Sequence, residues 1–482
     1  MNGQNVEKHN FSKEIASALK ELGYDTLTEV QEEVIPLVFA GKDSIVKSQT
    51  GSGKTAAFAI PVCEKIEIEQ KNPQVLVLTP TRELALQIKQ EISNIGRFKR
   101  VKCAAVFGRQ PMEGQKRELR QRVHVVVGTP GRTFDHIERG NVNLEEVKYL
   151  IIDEADKMLE MGFVDQIEDI IKVLPENRIT MLFSATMAAR IQEICKQYMK
   201  EPVTIEIDSY TFSLENIRQG YYEVREEDKF QLLMKLIYVE RPESCIIFCN
   251  TRDKVEDVFA KMKCKAYSCK TLHGGMEQRD RLVSIQEFKR GEFQFLIATD
   301  VAARGIHIDD ISLVVNYDMP QENESYVHRI GRTGRAGNSG VALTFATRYE
   351  RKVLHKIEDY VDYEIPEQEI PTIDEVEEGK LNFNKLEAVG PTLKIDKGEK
   401  LNAHITRIRI NAGKKTKMRP GDIMGALTTI QGISGSNIGI INIQDTCSYV
   451  EILADKGELV MEALKTTKIK GKIQKVKEVH VI

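Results

Sequence analysis

The octapeptide Ser48-Gln49-Thr50-Gly51-Ser52-Gly53-Lys54-Thr55 decides how this chain is read. A β-branched run, Ser44-Ile45-Val46-Lys47, leads into it, and a helical apolar pattern follows. In that strand-loop-helix context, glycines let backbone N–H groups turn toward an anion, and the helix N-terminus adds partial positive charge. Lys54 is placed to neutralise terminal phosphates, and the Thr55 hydroxyl to hold Mg²⁺. Ser48 stands where such a loop usually starts with glycine, so the strict pattern fails by one position. A glycine turn without a ligand would read the same in isolation.

Two later stretches discriminate. Asp153-Glu154-Ala155-Asp156 closes the apolar run Tyr149 to Ile152. An acid at a strand end can reach Mg²⁺ through water, and its neighbour can orient and deprotonate an attacking water. Further on, His328-Arg329-Ile330-Gly331-Arg332-Thr333-Gly334-Arg335 offers arginines, the side chain that stabilises charge on a transferring phosphoryl group. A basic surface turn is the bland alternative for that run, but its glycines favour close approach to a ligand.

Outward from these motifs, residues 1–208 alternate strand-like and helical runs. Strand candidates are Ser44 to Lys47, Val75 to Leu78, Val123 to Val127, Tyr149 to Asp153, Thr180 to Phe183 and Val203 to Ile207. The rhythm restarts after Asn216, with Ser244 to Phe248, Phe295 to Ala298, Leu313 to Asn316 and Val341 to Phe345. Runs apolar on both faces and separated by helices predict parallel sheets, hence two α/β lobes in tandem, 1–208 and 215–372. An acidic, proline-broken stretch then opens an expected linker, 373–400, with a possible closing helix at Asp374 to Leu386. The last segment, 401–482, has the β-α-β-β-α-β order of a small α+β RNA-recognition fold.

Composition is that of an ordinary globular chain, 482 residues with 41% hydrophobic and 29% charged. No apolar run approaches the ~20 residues of a membrane span, and Met1 to Asn10 lacks a secretory core. The eight cysteines do not follow zinc spacing and read as buried, reduced thiols of a cytoplasmic protein. A net charge of -3 conceals polarity. Residues 400–482 hold 14 lysines and arginines against 7 acids, leaving 55 against 65 elsewhere. A basic tail on an acidic body suggests a polyanionic partner.

Taken together these residues resemble a DEAD-box RNA helicase from about Phe11 to Tyr363. Phe11, Gly23-Tyr24 and Thr28 with Gln31 resemble the adenine-reading motif. Pro80-Thr81-Arg82-Glu83-Leu84 and Thr129-Pro130-Gly131-Arg132 match RNA-backbone motifs, and Ser184-Ala185-Thr186 the motif coupling hydrolysis to unwinding. In the second lobe Phe248, Gln278 with Arg281, Ala298-Thr299-Asp300 with Ala303-Arg304-Gly305, and the His328 run fall in order.

The resemblance implies two RecA-like P-loop NTPase domains with ATP and Mg²⁺ as cofactors. Phe11, Gln31, Thr50, Gly51, Ser52, Gly53, Lys54, Thr55, Gly305 and His307 would bind nucleotide. Thr55 and Asp153 would hold the metal, partly through water, with Glu154 as general base and Arg332 and Arg335 at the γ-phosphate. Ser184, Thr186 and His328 would couple hydrolysis to RNA. Pro80, Thr81, Arg82, Gly108, Arg109, Thr129, Pro130, Gly131, Arg132, Gln278, Arg281, Thr299 and Arg304 would hold RNA backbone. Three positions depart from the family: Ser48 for a smaller residue, Arg109 for the second of two glycines, and His307 for an aspartate at the ribose.

The tail, Ala403 to about Val479, resembles the RNA-binding domain of the DbpA/YxiN branch, through Ile408-Arg409-Ile410-Asn411-Ala412-Gly413-Lys414-Lys415, Arg419-Pro420-Gly421-Asp422-Ile423 and Ser448-Tyr449-Val450-Glu451. Lys414, Lys415, Lys417 and Arg419 are the expected phosphate contacts, and Tyr449 is the one stacking aromatic left on the sheet. This resemblance implies a monomeric helicase opening short duplexes, directed to a 23S rRNA hairpin in pre-50S ribosomal particles. Two other readings share the core: a general cold-stress or mRNA-decay helicase, and an ATP-gated RNA clamp or annealing chaperone.

Overall fold

The computed structural model describes residues 10–48, 52–207, 216–300, 311–334, 339–387, 393 and 397–479. Thr50, Gly51, Arg304, Gly305, His307 and Arg335 lie outside the described residues. Among those described, no helix is long and apolar enough to cross a membrane.

Among the described residues, the first lobe holds seven strands: β1 (Ser44–Lys47), β2 (Val75–Leu78), β3 (Cys103–Val106), β4 (Val125–Gly128), β5 (Tyr149–Ile152), β6 (Ile179–Ser184) and β7 (Val203–Glu206). They lie in the order β3-β4-β2-β5-β6-β1-β7, all parallel. Strand alternation sends Val75, Val77, Val125, Val127 and Ile151 into one core and Leu76, Leu78, Val126, Leu150 and Ile152 into the other. Each such side chain contributes about 1.5–3 kcal/mol on burial, which explains why the strands read as unbroken apolar runs. Strand β3 was not among the sequence candidates. Its Cys-Ala-Ala-Val has little β preference, and burial between two helical layers stabilises it instead.

At the start of β4, His124 is 1% exposed. Its Nδ1 accepts from the Lys102 backbone N–H at 2.9 Å, and Nε2 lies 3.2 Å from the Ile68 carbonyl, to which it donates. Burial, with smaller help from Lys102 and Arg122, pushes its pKa down to about 4. The unfolded chain therefore takes up this proton first, so the ring's contribution is complete above about pH 6.5 and lost as pH falls toward 4. Unfolding of the first lobe in urea should weaken by about 2 kcal/mol between pH 7 and pH 5. His124→Asn, which keeps an acceptor near Nδ1 but cannot titrate, should remove most of that slope. An unchanged slope in the variant refutes the assignment.

Among the described residues, the second lobe is a parallel sheet of six strands: β8 (Ile217–Glu223), β9 (Cys245–Cys249), β10 (Cys269–Leu272), β11 (Phe295–Thr299), β12 (Leu313–Asn316) and β13 (Gly340–Ala346), ordered β10-β11-β9-β12-β13-β8. Part of the expected linker is helical and belongs here. Helix Ile373–Glu387 packs on helix Lys229–Glu240, burying Phe383 against the rings of Tyr238 and Tyr267. A side chain at Gly379 would strike the Tyr238 carbonyl at 2.5 Å, so the helices approach closely there.

The tail forms an antiparallel sheet of β14 (Thr406–Ile410), β15 (Ile438–Ile443), β16 (Ser448–Ile452) and β17 (Val476–Val479), ordered β15-β16-β14-β17, with helices Pro420–Thr428 and Gly457–Ala463 between strands. Ile408, Ile410, Val450 and Ile452 face its core. Not every thiol is buried as expected: Cys264, on the polar side of helix Arg252–Cys264, is exposed, and Cys269 is partly so.

Candidate nucleotide and nucleic-acid sites

Because all first-lobe strands run the same way, their C-terminal ends share one rim, where parallel α/β sheets bind ligands. The ends of β1, β5 and β6 carry Ser48, Asp153 and Ser184; those of β2, β3 and β4 carry Pro80, Gly108 and Thr129. The sheet order keeps each trio contiguous. One half of the rim thus carries the residues expected at the phosphates, the phosphate half, and the other those expected at RNA backbone, the RNA half.

In the phosphate half, Gly53 enters helix Lys54–Lys65 at φ +89°, and a Cβ there would lie 2.6 Å from Gln31 Nε2. Only glycine meets both demands. Gln31 is 2% exposed; its Nε2 donates to the Gly53 carbonyl at 3.1 Å and its Oε1 accepts from the Thr28 N–H at 3.0 Å. Thr28 Oγ1 in turn donates to the Ser52 carbonyl at 2.9 Å. The residues matched to adenine reading therefore also brace the phosphate loop. Phe11 is half-buried, its ring 6.3 Å from that of Phe39. The departure at Ser48 is accommodated, since its hydroxyl accepts from Ser52 Oγ at 3.3 Å.

Lys54 and the acidic strand end form one electrostatic unit. Lys54 Nζ donates to the Ser48 carbonyl at 2.9 Å. Burial lowers the Lys54 pKa, against the pull of Asp153 and Glu154. Asp153 is 3% exposed, and desolvation pushes its pKa up to about 6 despite Lys54. Glu154 sits at φ +54° and pairs with Lys157 Nζ at 2.8 Å. Both partners of that pair are more than nine-tenths buried. A hydroxyl at Thr55 and a desolvated carboxylate at Asp153 form an oxygen donor set that suits a hard cation retaining waters.

Asp156 has a role the sequence did not disclose. Its Oδ2 accepts from the Ala185 and Thr186 backbone N–H groups at 2.9 and 3.0 Å, while its own N–H donates to Ser184 Oγ at 3.2 Å. Ser184 Oγ closes the ring by donating to the Thr186 carbonyl at 2.6 Å. The last acid of the Asp153 run thus holds the 184–186 segment in place. The signal available was its fixed offset from Asp153, which says nothing of its partner.

In the RNA half, Thr81 caps helix Arg82–Ile95 by accepting from the Leu84 N–H at 3.3 Å, leaving Arg82 half-buried at the helix start. Thr129 precedes helix Pro130–Glu138 without a side-chain cap bond, with Pro130 at the helix's first position and Gly131 following. Arg132 Nη1 donates to the Gln110 carbonyl at 3.1 Å and to Gln115 Oε1 at 3.3 Å, tying helix Pro130–Glu138 to the loop after β3 and to helix Met112–Leu119. Gly108 has open space around it, and Arg109 is exposed at φ +58°. The arginine therefore occupies a backbone conformation that glycine adopts freely, presenting its cation at the cost of local strain.

The second lobe carries its own polar centre. Arg329, on helix Asn323–Ile330, is 1% exposed. It donates to both Asp300 carboxylate oxygens, the Asp318 carbonyl, Asn250 Oδ1 and Asn316 Oδ1, and its guanidinium stacks 5.3 Å from the Phe248 ring centroid. Sequence reading assigned no task to this arginine. Arg332 Nε donates to the His328 carbonyl at 3.1 Å. Gln278 and Arg281 lie on the first turn of helix Gln278–Lys289, and Thr299 ends β11.

In the tail, Lys414, Lys415, Lys417 and Arg419 are all exposed around a short turn. The Lys414 and Lys415 N–H groups donate to the Gln444 and Asp445 carbonyls, both at 2.8 Å, so the turn is pinned to the β15–β16 hairpin. Tyr449 is half-buried, with the Arg407 guanidinium 4.8 Å from its ring centroid.

Residues 28–194 match the DEAD/DEAH box helicase family, 228–337 the helicase conserved C-terminal domain, and 407–478 the DbpA RNA binding domain. The chain is 50% identical to the ATP-dependent RNA helicase DbpA of Bacillus subtilis over 98% of this chain and 99% of that one. It is 40% identical to DbpA of Escherichia coli over 95% and 96%. Among solved structures, S. cerevisiae Dbp5 bound to RNA and ADP BeF3 is 31% identical with a TM-score of 0.70, covering 79% of this chain and 99% of its own. The chain belongs to the DEAD-box ATP-dependent RNA helicases, in the branch that carries a DbpA RNA-binding domain.

Proposed function

We propose that this helicase opens short duplexes in 23S rRNA during assembly of the large ribosomal subunit, working as a cytoplasmic monomer on pre-50S particles. The observation that carries this reading is the exposed, pinned cation turn Lys414, Lys415, Lys417 and Arg419 in the DbpA-type domain. A structured basic loop on an α+β module recognises a shaped RNA better than a flexible lysine tail does.

Within the cycle, Phe11 and Gln31 orient the base, and Ser52, Gly53 and Lys54 hold the phosphates. Thr55 and Asp153 would hold Mg²⁺, which when bound neutralises charge on the phosphate oxygens. Glu154, paired with Lys157, accepts the proton of the attacking water. Arg332 and Arg335 stabilise charge on the departing phosphoryl group. Asp156 passes any displacement of the acidic strand end to Ser184 and Thr186, whose amide and hydroxyl bonds it shares. Pro80, Thr81, Arg82, Arg109 and Thr129 to Arg132 grip sugar-phosphate without reading bases.

The test is ATPase stimulation by 23S rRNA fragments against homopolymer, using the full chain and a variant with Lys414, Lys415, Lys417 and Arg419 all replaced by alanine. The full chain should prefer one rRNA hairpin by at least ~10-fold in half-saturating RNA concentration. The quadruple variant should lose that preference, and its salt slope should flatten by about 3, at ~0.7 per phosphate contact. Equal discrimination by both proteins removes the loop as the address.

A further inference from the structure

The stretch joining helix Arg82–Ile95 to β3 holds Arg97, Lys99, Arg100 and Lys102. It lies at the N-terminal ends of the strands, opposite the rim that carries the nucleotide and RNA loops. Lys99 turns back to the Glu64 carbonyl within the lobe, but the other three reach the tail. Arg97 Nη1 pairs with Glu451 Oε1 at 3.3 Å, both side chains 9% exposed, and its Nη2 donates to Asn402 Oδ1. Arg100 donates to the Gly435 carbonyl and Lys102 Nζ to the Ile441 carbonyl.

The tail side of this contact is one face of its sheet. Strand alternation turns Val450 and Ile452 to the core and leaves Tyr449 and Glu451 on the other face, beside Arg409 and Arg407 of β14. Glu451 is doubly committed: Oε2 accepts from the Ile440 N–H at 3.3 Å, at the irregularity in β15 between Ile438 and Ile441, while Oε1 meets Arg97. Helix Lys397–Ala403 lies against helix Lys13–Glu21, with Leu401 fully buried. In many α+β RNA-binding modules this sheet face stacks bases. Here an arginine covers its one aromatic and its acid is paired with a lobe residue.

We propose that this sheet face is a protein-docking surface whose partner is the Arg97–Lys102 segment of the same chain. The tail is thereby mounted on the back of the first lobe, and its cation turn at 414–419 lies outside the contact. The inference does not depend on which RNA the turn recognises.

The test uses the full chain with Cys264 and Cys269 changed to serine and spin labels on Glu113→Cys of the lobe and Lys465→Cys of the tail, both well exposed sites. Without RNA, one narrow distance distribution is expected. Arg97→Glu sets two acids against each other and should raise the undocked fraction on the order of tenfold or more. Arg97→Glu combined with Glu451→Arg reverses the pair and should restore the narrow distribution. A broad distribution in the parent chain, a narrow one in Arg97→Glu, or no rescue by the double reversal each overturns the proposal.

Discussion

In Glu154→Gln, RNA-stimulated ATP hydrolysis is expected to fall roughly 10³-fold while ATP-dependent retention of RNA persists. The substitution is nearly isosteric, so the left-handed backbone at this position and the short helix Ala155–Glu160 behind it should be undisturbed. The amide oxygen can still accept from Lys157, now 2.8 Å from the carboxylate. What disappears is a group able to take a proton. Asp153 is not expected to substitute, because its proposed task lies with the metal. Single-turnover hydrolysis and filter retention of labelled RNA, measured side by side, check this. Turnover within tenfold of the parent protein would remove Glu154 from the role of base. Loss of RNA retention as well would mean that the carboxylate serves assembly of the site.

The second large effect is on stability. Arg329→Ala should destabilise the second lobe by about 3–5 kcal/mol, the usual cost of removing one partner from a buried charged network. All five guanidinium N–H groups are used, so the deletion orphans Asn316 Oδ1 and the Asp318 carbonyl and leaves the Asp300 carboxylate without its cation. The stack on Phe248 is lost too. The lobe's thermal midpoint should drop by roughly 10 °C. Arg329→Lys should recover little, because an ammonium cannot span the carboxylate and the carbonyl together. Calorimetry that resolves the two lobes checks it. A change below about 1 kcal/mol would show that water replaces the guanidinium without penalty.

How much of this was legible beforehand follows from what kind of contact each residue makes. Gly53, Lys54 and Asp153 stand in the strand-loop-helix pattern itself, so their spacing made them candidates. Arg329, Asp156 and Gln31 act through side-chain direction. Arg329 stands between two other basic residues of its motif, and only the position of helix Asn323–Ile330 over β9 and β12 decides that it points inward. Strand β8, Ile-Arg-Gln-Gly-Tyr-Tyr-Glu, went unread for a related reason: it is an edge strand with mixed polarity, defined by its pairing with β13. At Arg109 the sequence flagged an unusual residue, and the positive φ supplied the physical meaning. The Arg97–Glu451 pair joins residues more than 300 positions apart, beyond the reach of any local pattern.

The shared direction of the first-lobe strands has one more consequence. Chemistry crowds onto a single rim, and the far rim is left with only structural duties. An accessory module can be bolted to that idle side, exchanged or lost without retuning the motor. Address and engine could thus diversify on separate schedules within one polypeptide.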